Sequence, residues 1–350
     1  MYDDHYGLSE RPFQLTPDPK FWFDTATHRK AMAYLGYGLS QGEGFIVITG
    51  DPGAGKTTLI GHLTAQIDPE RLNVIKIVTT RIEPDDLLHL VAAGLDVKTD
   101  GMGKAQLLTE IERGLHRVAR TGKRSLLIVD EAQGLPVGSL EELRMLSNFQ
   151  AGGHPLLQIL LVGQPEFRDV MQGGDRLEQL RQRVIAMHHL DPMGPDEVED
   201  YLVHRLSVVG WQGRPDFTQE AVDALYRHSG GVPRRLNQLA GRVMLFGAIE
   251  NIDCFGEDDV NAVVADLEAD MTGHTEKPAV EASAPAAPPQ QVADAASREQ
   301  VEALTRQIAT IENRLEEQDK ALRRVLTLLV DWIESDASRP DLSAIRGSAA

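Results

Sequence analysis

The stretch GDPGAGKT, Gly50 to Thr57, has the spacing G-x-x-x-x-G-K-T and lies between an apolar run and a segment of helical periodicity. In that context backbone N–H groups and a helix N-terminus converge on one point, which suits a phosphate chain. The nucleotide-binding residues expected here are Gly50, Asp51, Pro52, Gly53, Ala54, Gly55, Lys56, Thr57 and Thr58. Gly50, Gly53 and Gly55 let the loop close without a Cβ in the way. Lys56 would reach the β- and γ-phosphates of ATP, and Thr57 would ligate Mg²⁺. Binding alone is not catalysis. Hydrolysis also needs a metal carboxylate, a group that activates water and a means of sensing the γ-phosphate.

The run SLLIVDEAQ supplies the first two. Four apolar residues build a buried strand ending in Asp130, a carboxylate at the edge where open α/β sheets bind ligands. Asp130 is the expected Mg²⁺ partner of Thr57, and Glu131 can orient and deprotonate the attacking water. The bland reading of Glu131 is a solvent-facing charge after a strand. LQILLVGQPEF ends a further strand at Gly163, so the amide of Gln164 is the candidate γ-phosphate sensor. Arg181 and Arg183 precede a fifth apolar run at a protein edge, where either could reach a neighbour's γ-phosphate or form an ordinary surface ion pair. In GGVPRRLNQLAGR, Pro233 suits a first helical turn and sets Arg234 where it could fold over the nucleotide.

The elements that must position these residues are readable from the apolar runs. GFIVITG, NVIKIVTT, SLLIVDE, LQILLVG and RVIAMHHL read as five strands, with helical periodicity between them and a helix over about 27–41. This predicts a parallel sheet covered on both faces. From Asp191 the texture becomes all-helical. The organisation expected is a P-loop ATPase core over 1–190 and a helical lid over 191–271. An Ala- and Pro-rich linker over 272–297, a coiled coil over 298–335 and a disordered tail over 336–350 complete it. The coiled coil rests on Val301, Leu304, Ile308, Ile311, Leu315, Leu322, Val325, Leu329 and Trp332, with Gln318 in the seam. The same stripe also suits an amphipathic helix folded back on the body.

The 350 residues carry a net charge of −18, which argues against a large nucleic-acid footprint. The single cysteine, Cys254, excludes an intramolecular disulfide framework, fits a reducing compartment and is expected as a small buried apolar residue. The opening residues lack a signal-peptide pattern, and no apolar run is long enough to span a bilayer. A cytoplasmic protein is expected, with peripheral docking at the inner membrane left open. The adjacent His188 and His189 point to opposite faces of a strand, so they do not make one metal site.

The P-loop, LLIVDE, the polar residue after the fourth strand, the paired arginines and GVPRRLN together resemble an AAA+ ATPase with its helical lid. The opening YGLSERPFQLTPDPKFWFDTATHRKAMAYLGYGLSQGEGFIVITGDPGAGKTT, with DEAQ and GQPEF, is similar to the general secretion pathway A-type ATPases. Within these it most resembles the subgroup associated with exosortase (PEP-CTERM) and exopolysaccharide loci. The likeness runs over about 1–271. It implies an ATP- and Mg²⁺-dependent enzyme that forms a homo-oligomeric ring or filament and works on membrane-associated secretion or polysaccharide-export proteins. It also implies that Pro12, Phe13 and His28 lie near the nucleotide base. Longer relatives continue into a membrane span and a peptidoglycan-binding domain, where this chain has its linker and seam.

Two rival readings remain. A DNA-loading ATPase of the transposition type is favoured by RGLHRVARTGKR, with Arg113, Arg117, Arg120, Lys123 and Arg124, and by the pair Arg234 and Arg235. The overall acidity opposes it. A nucleotide-gated scaffold with negligible turnover would need no Glu131.

Overall fold

The computed structural model describes residues 2–78, 81–99, 101–173 and 177–272. The residues beyond Thr272, on which the expected linker, coiled coil and tail fall, lie outside the described residues. Five strands form one parallel sheet: β1 (Phe45–Gly50), β2 (Leu72–Val78), β3 (Arg124–Asp130), β4 (Leu157–Gly163) and β5 (Val184–Leu190), in the order β2-β3-β4-β1-β5. These are the five runs expected from the sequence. Because β4 lies between β1 and β3, the loops leaving β1 and β3 diverge around a crevice at the C-terminal edge.

The strands alternate faces with period two. Phe45 and Val47 of β1 and Leu127 and Val129 of β3 join one core. That core is completed by α3 (Pro84–Ala93), α4 (Lys104–Arg120), α5 (Val137–Leu146) and α6 (Pro165–Gln172). Ile46, Ile48, Leu126 and Ile128 face the opposite way and pack on α1 (Ala26–Gln41) and α2 (Lys56–Gln66). Burial on both faces explains why β1, β3 and β4 read as unbroken apolar runs. Helix α1 starts at Thr25, whose hydroxyl accepts the His28 N–H at 3.1 Å.

A third core lies among α7 (Pro195–Val208), α8 (Gln219–Ser229), α9 (Pro233–Glu250) and α10 (Glu257–Thr272). The chain's opening enters this core rather than the sheet. Tyr2, Tyr6, Leu8, Phe13 and Phe21 are buried in it, and the Tyr6 hydroxyl donates to the Ile252 carbonyl at 2.8 Å. These five residues of the opening, counted with the 1–190 core from sequence, thus belong to the helical core. Glu197 joins the two halves, accepting the Ala26 N–H at the start of α1 and the Gly194 N–H at the start of α7.

Cys254 corrects the expectation of burial: it is exposed. It lies in a two-residue bridge, Cys254–Phe255 paired with Asp216–Phe217, where alternation sends Phe255 into the core and its neighbour outward. His188 and His189 have separate partners, the ring of Tyr34 and the hydroxyl of Thr49.

Candidate active site

A cavity opens where the ends of β1, β3 and β4 meet the helical part, and its floor is the glycine loop. Gly53 and Gly55 hold φ of +88° and +93°, a region that L side chains rarely adopt. Space forbids a side chain there as well. A Cβ at Gly53 would lie 2.5 Å from Cβ of Arg234, and one at Gly55 would lie 2.8 Å from Nε2 of His28. The glycines therefore admit the lid and α1 to the loop, a demand additional to phosphate approach.

Lys56 is buried, and its ammonium donates to the carbonyls of Gly50 at 2.7 Å and Asp51 at 3.0 Å. Burial lowers its pKa, against the opposing pull of the Glu131, Asp130 and Asp51 carboxylates. Behind the loop the Thr57 hydroxyl donates to Asp130 Oδ2 at 3.3 Å, while Oδ1 accepts the Glu131 N–H at 3.0 Å. Burial raises the pKa of Asp130, and the charge of Glu131 adds to it. Thr57 and Asp130 offer hard oxygens suited to Mg²⁺. Among the described residues no group of three or more His, Cys, Asp or Glu is placed to hold a metal ion by itself.

Glu131 follows the strand with φ of 58°, a conformation uncommon outside glycine and characteristic of functional turns. Its Oε2 accepts the side-chain amides of Gln133 and, at 3.2 Å, of Gln164. Gln133 is itself fixed, because its Oε1 accepts the Gln164 backbone N–H at 3.0 Å. The carboxylate is thus held by two amides at the cavity wall instead of facing bulk solvent. Sequence reasoning named Glu131 and Gln164 but passed over Gln133, whose signal was its place in DEAQ.

The facing wall comes from the lid and from the chain's opening. The Arg234 N–H donates to the Gly53 carbonyl at 3.2 Å, setting the first turn of α9 on the loop. Beyond it lie Asn237, Tyr201 and Arg205, with Gln14 to Asp18 and Phe21 to Phe23 from the opening. Trp22 stacks on His62 with ring centroids 3.9 Å apart and lies 4.8 Å from the ring of His28. His28 is buried, its Nδ1 pairs with the Thr25 hydroxyl at 2.8 Å, and its Nε2 has no partner. Burial pushes its pKa down to about 4, so the imidazole is neutral at neutral pH.

Of the residues named from sequence, Pro52, Gly53, Gly55, Lys56, Thr57, Thr58, His28, Glu131, Gln164 and Arg234 line this cavity. Gly50, Asp51, Ala54 and Asp130 support it from behind. Pro12 and Phe13 do not line it: Phe13 is buried in the helical core, and the Pro12 carbonyl accepts Nε of Arg205 at 2.6 Å. The residues that follow them do. Arg181 and Arg183 are also absent from the cavity. Arg181 donates to the Met171 carbonyl and Arg183 to the Ser147 hydroxyl, and the Arg183 carbonyl receives the N–H of Phe45 at the start of β1. That is the strand edge opposite the loop.

Residues 39–171 match the family model described as an AAA domain. The fold is the P-loop AAA fold. The chain is similar to General secretion pathway protein A of Aeromonas hydrophila, 38% identical over 247 residues. That match covers 70% of this chain and 44% of the relative's length. The solved ORC2 protein of Aeropyrum pernix, in ADPNP-ADP complexes, superposes with a TM-score of 0.52 at 17% identity, over 68% of this chain and 66% of that one. The ORC1 protein of the same organism, solved with DNA, gives 0.55 at 16% identity over 76% and 71%. At these identities the solved structures speak for the AAA fold alone. No helix among the described residues is long and apolar enough to cross a membrane.

Proposed function

We propose that this chain is a Mg²⁺-dependent ATPase that energises or regulates an envelope secretion, exopolysaccharide or exosortase-linked pathway through partner proteins. The observation that carries the reading is Glu131, a carboxylate held by Gln133 and Gln164 in the cavity whose floor is the glycine loop. A module that only bound nucleotide would not need it. Thr57 and Asp130 would hold Mg²⁺, which when bound neutralises charge on the phosphate oxygens. Lys56 and the loop N–H groups bind the phosphate chain. Glu131 orients water through its second oxygen and accepts its proton. Gln164, already on Glu131, couples that carboxylate to the γ-phosphate, and Arg234 couples the lid to the loop.

Arg181 and Arg183 lie at the edge away from their own cavity, which suits a finger offered to a neighbouring copy in a homo-oligomer. The likeness to a general secretion pathway protein supports membrane-associated secretion partners and a cytoplasmic protein working peripherally at the inner membrane. The test is ATPase rate against protein concentration with Mg²⁺, for wild type and Glu131→Gln, with and without duplex DNA. The expected result is a rate that climbs faster than linearly, is abolished by chelation or by the substitution, and ignores DNA. Stimulation by DNA would favour the transposition-type reading. ATP binding without turnover at any concentration would favour the gated scaffold.

A further inference from the structure

The geometry points to Asn237 as a fixed hydrogen-bond donor that reads a ring nitrogen of the bound purine, with Arg205 and Tyr201 as the positioning residues that set its direction. This rests on the cavity binding a nucleotide. Nη1 of Arg205 donates to the Tyr201 hydroxyl at 3.1 Å, and that hydroxyl donates to Asn237 Oδ1 at 2.9 Å. All three side chains are buried. A guanidinium can only donate, so the single phenolic proton must go onward, and Asn237 must meet it with its carbonyl oxygen. The reversed amide would aim two donors at Tyr201 and leave the phenolic proton without an acceptor in a buried site, which is costly. The donor end of Asn237, Nδ2, is what remains for the cavity that the residue lines. It makes no hydrogen bond to the described protein, nor is it among the sealed, unpartnered buried atoms.

The relay cannot run backwards because Arg205 is held in place. Its Nε donates to the Pro12 carbonyl at 2.6 Å, and its guanidinium lies 4.4 Å from the centre of the Phe21 ring. No carboxylate forms an ion pair with it among the described residues. Position along α9 selects the nucleoside half of the ligand. Arg234 is tied to the phosphate loop through its backbone. Asn237, three residues on, lies on the same helix face roughly 4.5 Å further along the axis. Phosphates on the loop leave the sugar and base for this wall, where Trp22 and Tyr201 present rings. A purine offers ring nitrogens as acceptors, and an amide N–H matches one of them.

The experiment is equilibrium binding of ATP and its 1-deaza, 3-deaza and 7-deaza analogues to the full chain, in which C–H replaces one ring nitrogen at a time. Wild type is expected to bind one analogue about tenfold more weakly than ATP, the worth of one neutral hydrogen bond. Asn237→Ala should bind ATP about tenfold more weakly and treat that analogue as it treats ATP. Tyr201→Phe keeps the ring in the core but frees the amide to turn, and should shrink the same discrimination to within about threefold. Thermal melts accompany each variant, and if Asn237→Ala does not fold, Tyr201→Phe decides. Wild type that treats all three analogues like ATP, or an Asn237→Ala that keeps the discrimination, overturns the assignment while leaving the ATP site intact. Wild type that binds no ATP overturns the nucleotide reading itself.

Discussion

The two walls of the cavity are assembled in opposite ways. The phosphate wall is drawn from short continuous stretches: the loop from Pro52 to Thr58 continues β1, Glu131 follows β3 directly and Gln164 follows β4 directly. The facing wall is drawn from residues as far apart in the chain as Gln14 and Asn237, and is braced from behind by the bond from Arg205 to the Pro12 carbonyl. The first wall is rigid because sheet hydrogen bonds fix the strand ends. The second is held by a few buried polar links and one N–H on the Gly53 carbonyl, so it is the wall that a lid motion would move. Under the proposed function, the division separates chemistry, placed on the sheet, from recognition and coupling, placed on the lid and the chain's opening.

Substitutions that act on one wall alone sharpen that contrast. The largest effect is expected for Glu131→Gln, which should lower steady-state turnover by about 10²–10⁴ while leaving ATP affinity within a few-fold, because it removes a base without touching the loop. Equal losses in rate and affinity would break the separation.

Acid should act through His28 on the boundary between the walls. Its folded pKa of about 4 lies below the ordinary 6.5, chiefly through burial, with Asp24 and Glu197 pulling the other way. The unfolded chain therefore binds the extra proton first. Stability is complete above pH 6.5, falls as pH drops toward 4, and levels off below it, by up to about 3 kcal/mol. Thermal melts across this window should show the slope, and His28→Leu should flatten that part of the profile.

Smaller effects test how the facing wall is built. Arg205→Met should cost about 1–3 kcal/mol in chemical denaturation, since Pro12 and Tyr201 lose their buried donor. If it costs nothing, the opening is held by its apolar residues alone. Gly55→Ala should cost about 1–2 kcal/mol, from the positive φ and the contact with His28, and should weaken ATP binding as the ring is displaced.

The central strands β1, β3 and β4 were legible because burial on both faces demands continuous apolar runs, the edge strands β2 and β5 are only partly buried yet still carry apolar side chains, and the helices between them follow from periodicity. The phosphate loop, Asp130 and Glu131 were legible for the same reason: their positions are set by the strand that precedes each. The resemblance placed Pro12 and Phe13 near the base and residue type placed Cys254 in the interior, and local sequence carries no signal for which core a loop joins that could have corrected either. Tyr201 and Arg205 did leave a trace, as two polar-tipped residues four apart on the buried face of α7 with Val198, Leu202 and Leu206. Periodicity registers such residues as interruptions and gives no partner for them.

What the sequence by itself determined is the sheet and the placing of the glycine loop, Asp130 and Glu131 at its C-terminal edge. Strand period and loop spacing are short-range properties, and a parallel sheet delivers the ends of β1, β3 and β4 to one edge whatever else the chain does. Only the tertiary structure decided that the opening belongs with the helical part. It likewise decided that His28 needs a glycine at position 55, that Gln133 and Gln164 share Glu131, and that an arginine nearly two hundred residues from Pro12 sets the direction of an amide on α9. Those arrangements depend on which buried donor finds which acceptor once distant surfaces are packed, and that pairing is fixed by burial rather than by spacing along the chain.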